Sequence, residues 1–328
     1  MAKVQNHSLV KTPIFQRYDP FVQLIVLMLL GFVSVSLFIG LGNLVIQSIW
    51  GLNVMEDLNV LRQYNDPNVV SANKLLLFLQ HLGLFVLPPL VFAQLVSVDW
   101  KRYLWMQKPT DARSFGYTVL LMVLAMLPIN LMVHWNESVQ FPEALRWLEH
   151  VFQAAEEQAA ELTQAILADT QWSSLFINLF LIALVPAIGE ELMFRAGIQN
   201  ILRRWTGSYH AAIWISAFLF SALHFQFYGF LPRMMLGALF GYMLVWSGSI
   251  WVPVLAHFIN NATAVCLHFA IARGAMSPAV EEWGTGHPDQ YFAMLSGALM
   301  IGVIWWWRKS RSGKAIADPN NPMQAEDD

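Results

Sequence analysis

Residues 21–47 read FVQLIVLMLLGFVSVSLFIGLGNLVIQ, a run without a single Asp, Glu, Lys or Arg. As a helix it would extend about 40 Å at 1.5 Å per residue, more than the roughly 30 Å of a bilayer's hydrocarbon core. The polar start from Met1 to Pro20, and a run too long for the apolar region of a signal peptide, predict a retained membrane span with no removable leader. Similar runs recur as far as Trp307. We read eight spans, at about 21–47, 75–97, 115–134, 175–204, 209–227, 231–247, 249–272 and 290–307. The whole chain of 328 residues is 56% hydrophobic and 12% charged, against about a quarter charged in soluble domains. That balance excludes a soluble enzyme and predicts an all-α, polytopic transmembrane bundle in the cell membrane. The 14 Trp and 22 Phe suit rings at the lipid interface and between helices. The single cysteine, Cys266, excludes a disulfide framework and a multi-thiolate metal site, and reads as a small core residue.

Positive charge sets the expected orientation. With a cytoplasmic N-terminus, the inner connections hold Lys101, Arg102, Lys108, Arg203, Arg204, Arg308 and Lys309 among others, while the outer ones hold only Arg62, Lys74, Arg146, Arg233 and Arg273. Both termini are therefore expected in the cytoplasm. The expected organisation is a cytoplasmic segment 1–19, N-terminal helices 20–134, an acidic extracytoplasmic connection 135–174, a core 175–272, a loop and last helix 273–308, and a disordered cytoplasmic tail 309–328. Within the connection, residues 142–168 predict an amphipathic helix lying on the outer surface, with Leu145, Leu148, Val151, Phe152 and Ala155 on one face. The basic residues follow topology and form no stripe, so the lipid bilayer is an expected partner and nucleic acid is not.

Ionisable groups inside spans mark function, because holding them in lipid is costly unless they pair or face a polar cavity. Glu190-Glu191-x-x-x-Arg195 lies in the fourth span, Phe220-x-x-x-His224 in the fifth and His257-x-x-x-Asn261 in the seventh. Residues four apart share a helical face, and Glu191 with Arg195 has the favourable order for an intrahelical ion pair, which leaves Glu190 free. Counted along continuous helices, Glu190 is roughly 20 Å deep, His224 roughly 22 Å, and His257 and Asn261 roughly 12 and 18 Å, so three helices could bring them together. Such a set permits hydrolysis: a carboxylate withdrawn from bulk water suits a general base, and side-chain donors suit an oxyanion. H-E-x-x-H is absent, no G-x-S triplet occurs, and no Asp lies in an expected span, which disfavours zincin, serine and aspartic mechanisms.

These motifs, in this order on consecutive intramembrane segments, resemble the CPBP family of intramembrane proteases, which includes the type II CAAX prenyl proteases and bacterial Abi-type relatives. The approach Ser247-Gly248-Ser249-Ile250-Trp251-Val252-Pro253 to the third motif also looks like that family. The resemblance covers residues 175–272. It implies a glutamate-type endopeptidase in which Glu190 and His224 activate water and His257 and Asn261 form the oxyanion hole, with Glu191, Arg195 and Phe220 in support. It implies as substrate a membrane-associated peptide or protein tail. Family members have been called metalloproteases; a carboxylate-activated water needs no cofactor, and a divalent metal such as zinc, if present, would fall to Glu190, His224 and His257.

The blander readings are an immunity-type scaffold without catalysis and, on mid-membrane Glu, Arg and His, a proton-coupled transporter, although the chain lacks the repeated halves of the latter. His81 and His268 read as satisfied hydrogen-bond donors between helices. Phe220 reads as a packing residue, Gly237 and Gly241 as a helix-packing face, and Pro88-Pro89 and Pro186 as kinks. From the depth count, access to the site is expected from the cytoplasmic side.

Overall fold

The computed structural model describes residues 13–139, 141–286 and 288–311. The tail from residue 312, the first twelve residues and His287 lie outside them. In chain order the principal helices are α1 (Pro20–Trp50), α2 (Pro67–Val96), α3 (Arg113–Glu137), α4 (Arg146–Leu167), α5 (Trp172–Thr206), α6 (Tyr209–Ala222), α7 (Phe230–Ser247), α8 (Trp251–Ala272) and α9 (Gln290–Arg311). There is no strand among the described residues, and the chain is a multi-pass membrane protein.

Local chemistry explains the ends. Asp19 and Asp66 cap α1 and α2 by accepting the backbone N–H two residues on, each at 2.8 Å, with proline at the first helical position. Gly207 and Gly248 close α5 and α7 at φ of 67° and 70°, a left-handed conformation that costs other residues a steric clash.

Among the described residues seven helices are long and apolar enough to cross a membrane; the eighth expected span, 209–227, is instead the 14-residue α6. At 1.5 Å per residue α6 covers about 21 Å, too short for the hydrocarbon core. The expectation fails because the helix stops at Ala222, so His224 stands on the turn that joins α6 to α7. Irregular backbone at membrane depth is tolerated only inside protein or along a cavity, and here α4 supplies that cover. Phe141 and Phe152 pack on Phe227 of the turn at centroid distances of 4.4 and 5.9 Å, and Gln153 Nε2 donates to Tyr228 Oη at 3.1 Å. The inward face of α4 is Phe152, Ala155, Ala159, Leu162 and Ile166, whereas Leu145 and Val151 are exposed. The helix thus packs on the bundle through this face.

At the centre runs α5, buried from Val185 to Leu202 at every position but Ile188. It packs on α1, α2, α6 and α8, while α3 packs on α7, α8 and α9. Phe32, Leu37 and Leu44 on α1 and Ile301, Trp305 and Trp306 on α9 are exposed, as expected for lipid-facing rows. Cys266 is exposed too, not in the core as expected.

Candidate active site

Two of the helices that frame the site widen to π geometry where prolines follow. In α2 the widened turn is Leu82–Val86, ahead of Pro88 and Pro89; in α5 it is Leu179–Leu184, ahead of Pro186. Proline has no N–H and its ring crowds the carbonyl four residues back, so the preceding turn opens. For Pro186 that carbonyl is Ile182, and Asn261 Nδ2 on α8 donates to it at 3.0 Å. A third π turn, Glu191–Ile198, begins directly after Glu190.

Glu190 faces a cavity while Glu191 faces the protein. The Glu191 carboxylate is wholly buried, with Arg195 Nη1 at 3.1 Å and His257 Nδ1 at 2.8 Å from Oε1. Arg195 lies over the Phe220 ring at 4.5 Å and near Phe240 at 5.6 Å, and its Nη2 donates to the Gly237 carbonyl at 3.2 Å. A β-carbon at Gly237 would meet that Nη2 at 3.2 Å and Phe220 at 3.2 Å, so the small residue is what lets α7 close on the arginine. The expected packing face is therefore present at Gly237, and the expected intrahelical pair is present with His257 added to it.

The cavity beside Glu190 has a volume of about 610 Å³ and is lined by Glu190, His81, His224, His257 and Arg233 among others. His257 Nε2 is 3.7 Å from Glu190 Oε2, and His81 Nε2 is 3.5 Å from Oε1. Both His81 and His224 donate Nδ1–H to the carbonyl one turn back, Leu77 and Phe220, at 2.8 Å, which fixes the tautomer and turns Nε2 to the cavity. The residue after His224, Phe225, has φ of 54°, a strained conformation for a side chain of its size and one that collects at functional sites.

Glu190, His224, His257 and Asn261 thus line one cavity. His81, expected to serve a structural bond between helices, instead belongs to this group. What places it is Gly189: a β-carbon there would stand 3.0 Å from both Phe85 Cβ and Val86 Cγ2, so α2 and α5 touch backbone-close next to Glu190. Asn261 is only partly free for an oxyanion, since its Nδ2 serves Ile182 and its Oδ1 accepts from Asn260 at 3.1 Å. His257, with Nδ1–H given to Glu191, can donate from Nε2 only as the doubly protonated ring.

Ala159, Leu162 and Ile166 of α4 form one wall of the cavity. It therefore runs from mid-helix α5 towards the side covered by α4, away from the Arg203, Arg204 and Arg308 ends. The wall that α4 forms stands at the end of the bundle away from those basic residues. Outside the spans, burial pushes the Glu156 carboxyl of α4 above its ordinary value, while the Tyr228 N–H, donating to Oε2 at 3.4 Å, favours the ionised form.

Among the described residues no group of three or more His, Cys, Asp or Glu side chains is arranged to hold a metal ion. His224 Nδ1 is engaged with the Phe220 carbonyl and His257 Nδ1 with Glu191, so the ring nitrogen each has left for the cavity is Nε2.

The chain is 30% identical over 93 residues, 27% of its length, to "Uncharacterized protein YpbD" of Bacillus subtilis (strain 168), covering 44% of that protein. It is 31% identical over 114 residues, 35% of its length, to "Putative membrane peptidase YdiL" of the same organism, covering 46% of it. The chain thus spans less than half the length of these curated relatives. No solved structure matches it significantly. Residues 172–263, which hold all three motifs but not His81, match the family model described as Type II CAAX prenyl endopeptidase Rce1-like, the family grouping that the motifs resemble.

Proposed function

We propose that the protein is an intramembrane endopeptidase of the glutamate type in the cell membrane, cutting a membrane-associated peptide or protein tail. The observation that carries this reading is the single cavity onto which Glu190 and the Nε2 edges of three histidines open. Glu190 takes the proton of a water, and the neutral Nε2 of His224 accepts that water's second hydrogen and orients it. The water's oxygen attacks the peptide carbonyl. His257 Nε2 faces the oxyanion, with Glu191 holding the ring at Nδ1 as a positioning residue. Glu190 then returns its proton to the leaving amine. His81, with Nδ1–H given to Leu77, presents Nε2 at 3.5 Å as an acceptor for the proton while Glu190 holds it.

The test is cleavage of quenched peptides, with and without a prenyl group, by protein purified into lipid discs, beside Glu190→Ala and His224→Ala, with and without a strong chelator. Cleavage lost in both folded variants and unmoved by chelator is the expected result. Equal cleavage by wild type and variants overturns it, and chelator sensitivity reversed by added metal replaces the water mechanism with a metal-assisted one.

A further inference from the structure

Arg233 stands in the first turns of α7 and lines the same cavity as Glu190 and His224. It contrasts with the other arginine of the core. The head group of Arg195 has an ion pair, a carbonyl acceptor and two aromatic faces. The head group of Arg233 has one neutral partner: its Nη2 donates to Gln226 Oε1 at 2.7 Å, and its buried Nη1 has no hydrogen-bond acceptor. Among the described residues no carboxylate lies within ion-pair distance of it. Glu156, the acid that α4 brings to this end of the cavity, is turned to the Tyr228 N–H instead. Glu190 and Glu156 act on this guanidinium only from beyond ion-pair distance, so its burial is incompletely compensated, and a buried donor without an acceptor adds to that cost. The fold nonetheless makes room for it: a β-carbon at Gly229 would lie 2.9 Å from Nη2, so glycine at that position leaves the space the head group fills.

We propose that Arg233 binds a carboxylate of the substrate within the cavity, and so sets how far from that carboxylate the peptide meets Glu190. The planar fork of arginine matches a carboxylate through two parallel N–H donors, which accounts for an arginine here. The carboxylate is either the free C-terminus of the substrate or an acidic side chain near the scissile bond. The proposal rests on the hydrolytic reading for its placement relative to Glu190, and its binding readout does not depend on cleavage.

The experiment measures binding to full-length Glu190→Gln protein in lipid discs, so that no turnover occurs. The probes are N-acylated, fluorophore-labelled hexapeptides in four forms: C-terminal acid, C-terminal amide, internal Asp with terminal amide, and internal Asn with terminal amide. The expected result is one carboxylate form bound about tenfold to a hundredfold more tightly than its amide counterpart. Which pair shows the preference identifies the carboxylate. Arg233→Gln erases the preference without weakening the amide form, and Arg233→Lys keeps part of it. Gly229→Ala, which retains the charge and crowds Nη2, lowers the preference as well and covers the case in which Arg233→Gln fails to fold. Equal affinity of acid and amide forms, no binding of either, or a preference that persists in Arg233→Gln overturns the proposal. Preference for a carboxylate without any Glu190-dependent cleavage in the parent protein would remove the hydrolytic reading and leave the anchor standing.

Discussion

Removing one partner from the Glu191–Arg195 pair should cost far more than removing both. The two side chains are 0% and 1% exposed and 3.1 Å apart, which at an effective dielectric near 20 corresponds to an attraction of about 5 kcal/mol. Desolvation offsets most of that gain, so the pair adds little net stability, yet either charge left alone is uncompensated. Arg195→Met strands the Glu191 carboxylate, whose Oε2 already lacks a hydrogen-bond partner, and each single substitution, Arg195→Met or Glu191→Gln, is expected to lose about 3–5 kcal/mol. The double variant leaves no buried charge there, keeps an acceptor for His257 Nδ1, and is expected to lose no more than about 2 kcal/mol, the remaining deficit being the lost contacts to Gly237, Phe220 and Phe240. Reversible unfolding in mixed detergent micelles with rising dodecyl sulfate measures all four proteins, and the cycle isolates the coupling. Additive losses, agreeing within about 0.5 kcal/mol, would refute the claim that these two charges neutralise one another in the core.

Other perturbations follow from single contacts. Gly189→Ala places a methyl group 3.0 Å from Phe85 and Val86; it should destabilise by about 1–3 kcal/mol and displace His81, detectable as a lowered thermal midpoint together with a slower probe reaction at residue 81. Asn261→Ala frees the Ile182 carbonyl and should cost about 0.5–1.5 kcal/mol in the same unfolding assay. The Glu156 carboxyl is raised from its ordinary 4.5, so its contribution to closure of α4 is complete below that value and is lost as pH rises through the higher folded value. A cysteine at Leu162 in a Cys266→Ser background should therefore react faster as pH rises across that window, and Glu156→Gln should flatten the dependence. Impermeant thiol reagents should reach a cysteine at Gln226 from the side opposite to one at Arg308; labelling of both from one side would contradict the direction in which the cavity opens.

The membrane fold and the site were legible to different depths. Long uncharged runs left little freedom, and the helix boundaries fall within a few residues of those expected for α1, α7 and α8, though α2 starts at Pro67 instead of 75. α6 misled because apolar composition continues through Leu223 and Phe225 after the helix has ended, and hydropathy does not mark where a chain turns inside protein. The pairs Glu191 with Arg195 and His257 with Asn261 were readable because a helix fixes i and i+4 by itself. His81 was not, since nothing near it in sequence differs from an isolated buried histidine; its role arises from Gly189, over a hundred residues away, allowing α2 to touch α5. The signal that existed was the proline that follows each widened turn, which marks where α2 and α5 open to π geometry beside the cavity. Asn261 shows the limit of a shared face: the spacing put it beside His257, but the direction of its amide is set by the carbonyl that Pro186 leaves open.

The most direct test of the account is the ratio of kcat/KM between the wild-type protein and Glu190→Gln, on one cleaved peptide, in lipid discs, with both proteins matched in thermal midpoint. Loss of a general base at the centre of the cavity predicts a fall of about a hundredfold to ten-thousandfold, with peptide affinity retained. Cleavage by Glu190→Gln within a factor of two or three of wild type would contradict it and move the chemistry away from this carboxylate.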